Sequence, residues 1–208
     1  MAETIAVYTA VFGDYDDVRA PAVPVQSWTV FGDDPGEEHP RRAARYCKCL
    51  AHRLFPDADI SIWLDGNVQL LIEPEWLVDE WLGDADVATT VHPSRDCLYD
   101  EGQACVRKHK DTISRIESQM ALYRSQAFPA HYGLAETRVV IRRHSPLVAL
   151  FNEMWWSQVS QYSPRDQLSF NWSLWRLAQA FPPGIVWHGV DAFVPKHPWF
   201  DCARHRGQ

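Results

Sequence analysis

Ile60-Ser61-Ile62-Trp63-Leu64-Asp65-Gly66-Asn67 is the stretch on which the reading of this chain turns. An apolar strand ends on a carboxylate and, two residues later, on an amide oxygen, with glycine permitting the turn between them. Hard cations such as Mg²⁺ or Mn²⁺ take oxygen ligands and are commonly shared with phosphates, so Asp65 and Asn67 are suited to hold a metal against a diphosphate. Asp-Gly-Asn is also ordinary turn chemistry, and taken alone the segment reads more simply as a strand-to-loop turn.

Outward from this segment, strands alternate with helices. Residues 5–12, 27–31, 86–91, 137–141 and 184–187 read as further strands, several of them closed by Asp and Gly. Helical spacing appears in Ala44, Cys47, Ala51 and Leu54, then in Leu77, Val78, Trp81 and Leu82 behind Pro74, and again in Ile113, Ile116, Met120 and Tyr123. Ser145-Pro146 is a good cap and first-turn pair for a helix burying Leu147, Leu150, Phe151 and Met154. Ser163-Pro164-Arg165-Asp166 opens another, which carries Leu168, Trp172 and Trp175. Residues 92–110 show no clear period and read as a long loop or lid, and the chain after residue 187 reads as an irregular tail. The pattern predicts an α/β domain with a mostly parallel central sheet flanked by helices, with ligands bound beyond the carboxyl ends of the strands.

The 208 residues fit a single domain, 1–208, with a sizeable core. Twenty basic against 27 acidic residues give a formal charge of −7, which argues against a nucleic-acid partner. No apolar run is long enough for a transmembrane segment, and the acidic start lacks the basic n-region of a signal peptide, so a soluble, cytoplasmic protein is expected. Five cysteines, odd in number and irregularly spaced, read as free thiols. The ten tryptophans suit a ring-stacking cleft as well as a core; Trp155, Trp156 and Trp172 are candidate acceptor platforms, although core packing is the simpler role for at least two of them.

Three further segments carry chemistry. Arg41, Arg45, Lys48 and His52 recur at spacings of four, three and four on a helix, opposite its apolar stripe. They read either as a diphosphate-neutralising face or as a solvated one. Asp166, three residues after Ser163, reads as a capping box or as a group at a helix mouth beside Gln167, with Asn171 one turn below. The run from His92 to Glu101 joins histidine, arginine, tyrosine and carboxylates, which suits sugar hydroxyls or a surface loop. Asp14, Asp16 and Asp17 read as solvated turn residues, and His188, His197 and His205 as weak candidates to complete a metal site. There is no Walker loop, GxGxxG, HExxH or GxSxG motif.

Taken in order, Tyr8 to Asp16, Arg45 with Lys48, His52 to Pro56, Trp63 to Asn67, His92-Pro93 with Arg95, Cys97 and Tyr99, Gly133-Leu134 with Glu136, Val139 to Arg142, and Asp166 to Phe170 resemble one family. It is the glycosyltransferase-like domain of plant turgor-regulation and mucilage-related proteins and bacterial sugar-transfer proteins. The resemblance implies a GT-A-like nucleotide-diphospho-sugar transferase fold, in which an Asp-x-Asp type motif binds a divalent metal and the donor. By position it implies that Asp65 and Asn67 replace that motif, with His205 as a further metal ligand and Mn²⁺ or Mg²⁺ as cofactor. It implies that Tyr8 and Thr9 flank the nucleobase or ribose, that Asp34 bonds the base, that Arg45 and Lys48 face donor phosphates, and that Asp166-Gln167 lies at the reacting centre. His92 joins the donor-binding set. The expected function is sugar transfer from a nucleotide-diphosphate sugar to a glycan, lipid or small-molecule acceptor. A metal-dependent hydrolase of a glycolipid-like substrate and a non-catalytic nucleotide-sugar- or carbohydrate-binding module remain as alternatives, the second favoured by Asn67.

Overall fold

The computed structural model describes residues 3–13, 16–32 and 39–204. Asp14, Asp34 and His205 lie outside the described residues. A six-stranded sheet runs in the order β2 (Trp28–Phe31), β1 (Ile5–Ala10), β3 (Ile60–Leu64), β6 (Ala135–Arg143), β5 (Val87–Val91), β7 (Trp187–Val190). β1 pairs in parallel with β2 and β3, and β5 in parallel with β7, while β6 runs antiparallel to both its neighbours. The sheet is therefore mostly parallel, as expected.

β3 is interior, and every one of its residues is buried. Ile60, Ile62 and Leu64 point to one layer and Trp63 to the other, the alternation a strand imposes. On the Trp63 side lie α1 (Pro40–Cys49), α6 (Pro146–Gln161) and α7 (Gln167–Ala180), packed over Tyr8, Ala10 and Val140. The short helix α2 (Ala51–Leu54) follows α1 directly. On the opposite side, α3 (Pro74–Leu77), continued by a π-helical turn at Val78–Leu82, covers Ile5, Val7 and Ile141. Ser145 caps α6 by accepting from the Val148 amide, as its position predicts.

Three segments depart from the pattern read in the sequence. Residues 92–110 are not a loop, because Leu98–Arg107 forms α4. Its inward face carries Glu101 and Gly102 among the apolar residues, which breaks the period. A Cβ on Gly102 would sit 3.0 Å from Met120 Sδ, so glycine lets α4 approach α5 (Ile113–Ser125) closely. The tail is not irregular: β8 (Phe200–Cys202) pairs antiparallel with β4 (Val68–Leu70), a strand too short to show a pattern. The last strand of the main sheet starts at Trp187 rather than ending there. Trp155 and Trp172 are the two tryptophans expected in the core: they are buried and stacked on Phe151 and Tyr123 respectively, so neither is an acceptor platform. Trp156 packs edge-on against Tyr46.

Gly66 follows the tip of β3 where the chain leaving β1 presses closest. A Cβ there would lie 2.4 Å from Val11 Cγ2 and 3.5 Å from the Cβ of Asp16. Valine is stiff and moves away only with its backbone. Gly66→Ala is expected to destabilise the fold by about 1–3 kcal/mol through this overpacking, measurable by urea unfolding.

Candidate active site

A cleft of about 530 Å³ opens at the carboxyl ends of β1 and β3 and the amino end of the antiparallel β6. Charged side chains reach it from α1, α7 and the ends of β3 and β6. α1 contributes Arg41, Arg45 and Lys48, Asp65 directly follows β3, Glu136, Thr137 and Arg138 lie in the first half of β6, and Asp166 and Gln167 stand at the mouth of α7.

Lys48 is the junction. Its side chain is 1% exposed, and its ammonium lies 2.6 Å from Asp166 Oδ2 and 3.3 Å from Asp65 Oδ1. It also donates to Thr137 Oγ1 at 3.1 Å, and that hydroxyl donates to Asp166 Oδ2 at 2.6 Å. Arg45 sits beside it, 2.9 Å from Asp166 Oδ1 and 3.9 Å from Asp65 Oδ1. Trp63 donates its indole N–H to Asp65 Oδ1 at 2.8 Å and offers its ring to Lys48 at 5.5 Å. Burial alone would raise the pKa of Asp166, but Arg45 and Lys48 outweigh it and hold the carboxyl well below the usual range. Asp166 does not cap α7; its carboxylate is committed to the cations instead.

The basic stripe is divided between cleft and solvent: Arg45 and Lys48 are drawn inward, and Arg41 stays exposed at the rim. Arg41, Arg45 and Lys48 all reach the cleft, whereas His52 turns away to Glu153, at 3.0 Å, and burial lowers its pKa. Gln167 lines the cleft while its amide donates to the Ala135 carbonyl at 3.2 Å. Asn171 is in the core, accepting from the Ala135 amide.

Tyr8 and Thr9 are 0% and 1% exposed and line no part of the cleft, which corrects the expectation that they flank a base. Tyr8 is wedged between Phe31, Phe55 and Trp63, its hydroxyl bound by the buried Arg142. The next residues along the chain, Ala10 to Gly13, form the cleft wall in its place. His92 is also absent from the cleft. Its Nδ1 accepts from the Ser94 and Arg95 amides, and its Nε2 faces Arg95 at 2.9 Å, so it organises the turn into α4. His188 bonds the Trp81 carbonyl, and His197 packs among Trp81, Trp199 and Phe200, which removes both as metal candidates at Asp65.

Asn67 is 3% exposed. Its amide nitrogen donates to the Ala203 carbonyl at 2.8 Å, tying the tail to the tip of β3, and its Oδ1 is buried with no hydrogen-bond partner among the described residues. Asn67 is not itself part of the cleft lining, so Asp65 is the oxygen ligand that faces the space, while the orphaned amide oxygen of Asn67 is a second oxygen of the kind Mg²⁺ or Mn²⁺ takes.

The sequence reading missed several groups. Asp16, read as solvated, is buried at the cleft against Gly66. Glu136 is 7% exposed, with Oε1 paired to Arg138 at 2.8 Å and Oε2 buried without a hydrogen-bond partner among the described residues. Arg115, Arg138 and Arg165 add to the rim. Among the described residues the cleft holds seven lysine and arginine side chains against five carboxylates. The chain as a whole carries −7, so positive charge is concentrated here.

A mostly parallel sheet with one reversed strand is a fold shared with GT-A glycosyltransferases, and the chain belongs to the TOD1/MUCI70 glycosyltransferase-like domain family, whose model matches residues 27–187. It is 29% identical over 141 residues to the probable hexosyltransferase MUCI70 of Arabidopsis thaliana, a match covering 63% of this chain and 24% of that protein. It is 31% identical over 134 residues to the alkaline ceramidase TOD1 of the same plant, covering 59% of this chain and 29% of that protein. The matches thus span about a quarter of the length of these relatives. Among solved structures, the bifunctional glycosyltransferase WbbM superposes with a TM-score of 0.52 at 10% identity, over 90% of this chain and 45% of that one. That likeness concerns the fold alone.

Asp166→Asn would leave the buried Lys48 short of its closest counter-charge and is expected to cost about 3–5 kcal/mol at neutral pH. Because the folded pKa lies below the unfolded value near 3.9, the stabilisation is complete above that value and fades as pH falls through the folded one. Urea melts of both proteins should therefore show a gap that is constant from pH 7 to about pH 5 and narrows in stronger acid.

Proposed function

We propose that this domain transfers a sugar from a nucleotide-diphosphate donor to a glycan, lipid or small-molecule acceptor, with the diphosphate seated on the Arg41–Arg45 face of α1. The observation that carries this reading is the positive cleft at the carboxyl edge of the sheet in an otherwise acidic chain. Transfer breaks the bond from the anomeric carbon to a diphosphate oxygen and forms one to an acceptor oxygen, so negative charge grows on the departing diphosphate. Fixed guanidinium groups beside it stabilise that charge without having to reorganise.

Asp166, with both oxygens engaged and its pKa held low, positions Lys48 and Arg45 and is a poor proton acceptor. The unengaged Glu136 Oε2 is better placed to accept a hydrogen bond from a sugar or acceptor hydroxyl. The base end of the donor lies against Ala10 to Gly13 in this reading. Asp65 and Asn67 would hold a divalent cation, which when bound supplies further neutralisation of the diphosphate.

A thermal-shift titration with nucleoside diphosphates and nucleotide sugars, with and without Mn²⁺, tests the proposal. A ligand at a hundredfold excess over its Kd adds about 2.7 kcal/mol, or roughly 5–10 °C in a domain of this size. Arg41→Gln, on the exposed rim, should weaken diphosphate binding by about tenfold or more while leaving the Lys48 network intact. No shift with any diphosphate nucleotide, or turnover of a ceramide-like amide with no nucleotide sugar present, would contradict it.

A further inference from the structure

Outside the cleft, the side chains of Cys97, Asp100 and His131 bring a thiol sulfur, a carboxylate oxygen and a ring nitrogen within 4.8 Å of one another. We propose that these three residues form a zinc site that fastens the start of α4 to the loop leading into β6.

The placement follows from local structure. Cys97 is the residue preceding the first turn of α4, and Asp100 lies three positions on, so both face the same side of the helix start. Cys97 is buried at 3% exposure, whereas Asp100 and His131 stand at the surface above it. His131 comes from the loop after α5, where its φ of +56° is an unusual conformation for a residue with a β-carbon. Its Nδ1 pairs with Asp96 Oδ1 at 2.9 Å, so ligation through Nε2 would keep that carboxylate as an outer partner. A carboxylate on the second ring nitrogen is the usual outer partner of a metal-bound histidine.

The donor set selects the metal. Thiolate and imidazole together favour zinc over Mg²⁺ or Ca²⁺, and three protein ligands with water in the fourth position satisfy its tetrahedral preference. With bonds of about 2.0–2.3 Å, tetrahedral ligands stand roughly 3.3–3.8 Å apart, so rotamer adjustments of about 1 Å close the site. Binding expels the thiol proton of Cys97.

The same seam is already tied by the Tyr99 hydroxyl, which donates to the Phe128 carbonyl at 2.7 Å. The loop feeds β6, whose first residues line the cleft, so the ion stiffens one wall of the site without entering it.

The test uses the whole chain, stripped of metal and titrated with Zn²⁺ against a chromogenic chelator, and with Co²⁺ as a spectroscopic stand-in. One ion per chain and a thiolate-to-cobalt charge-transfer band are expected, both unchanged in Cys202→Ser. Cys97→Ser should abolish the band. His131→Asn, which keeps a residue tolerant of positive φ, should weaken Zn²⁺ binding by at least the roughly 10–100-fold that loss of an outer partner costs. Far-UV circular dichroism checks that each variant is folded, and His131 is exposed enough that its replacement spares the core. A missing band, a band that survives in Cys97→Ser, or Zn²⁺ affinity unchanged in folded His131→Asn would overturn the site.

Discussion

An ammonium group sealed from water must be matched by opposite charge, and Lys48 imposes that requirement on the middle of this molecule. Its counter-charges come from two elements that share no contiguous sequence: Asp65 from the tip of β3 and Asp166 from the mouth of α7. Thr137, the third partner, lies near the start of β6. One buried cation thus fixes the separation of helix, strand and strand at the point where they bound the cleft. Arg45, one turn away on α1, repeats the pairing with Asp166 closer to the opening.

The reversed strand sets what the cleft can contain. In a wholly parallel sheet only the ends of strands would meet at this edge. Because β6 runs the other way, it brings its first residues, Glu136 to Arg138, beside the last residues of β1 and β3. An acid with an unengaged oxygen and a further arginine thereby join the cations of α1. The positive balance that results, in a chain of net charge −7, is the basis for reading the cleft as an anion site.

The sheet and the layers over it were legible because their signals are local. An apolar run with a turn at its end, such as Ile60 to Asn67, specifies an interior strand wherever it falls. The spacing of Arg41, Arg45 and Lys48 likewise places them on one side of a helix. The sequence does not carry strand direction, and without it Glu136 and Arg138 have no visible relation to Asp65. Nor does it show depth: Tyr8 sits one pleat too far back to touch a ligand, and Asp16, polar and beside turn residues, is buried by the approach of Gly66. α4 escaped notice because its inward face uses glycine and a paired glutamate where a period of large apolar residues would show.

The most direct measure of the central interaction is a double-mutant cycle on stability, using Lys48→Met and Asp166→Asn at neutral pH. If the two groups neutralise each other in a dry setting, the double variant will be less destabilised than the single effects summed, by at least about 1 kcal/mol. Simple additivity would mean that the ammonium and the carboxylate are each solvated or satisfied elsewhere, and that the cleft is not built around their pairing.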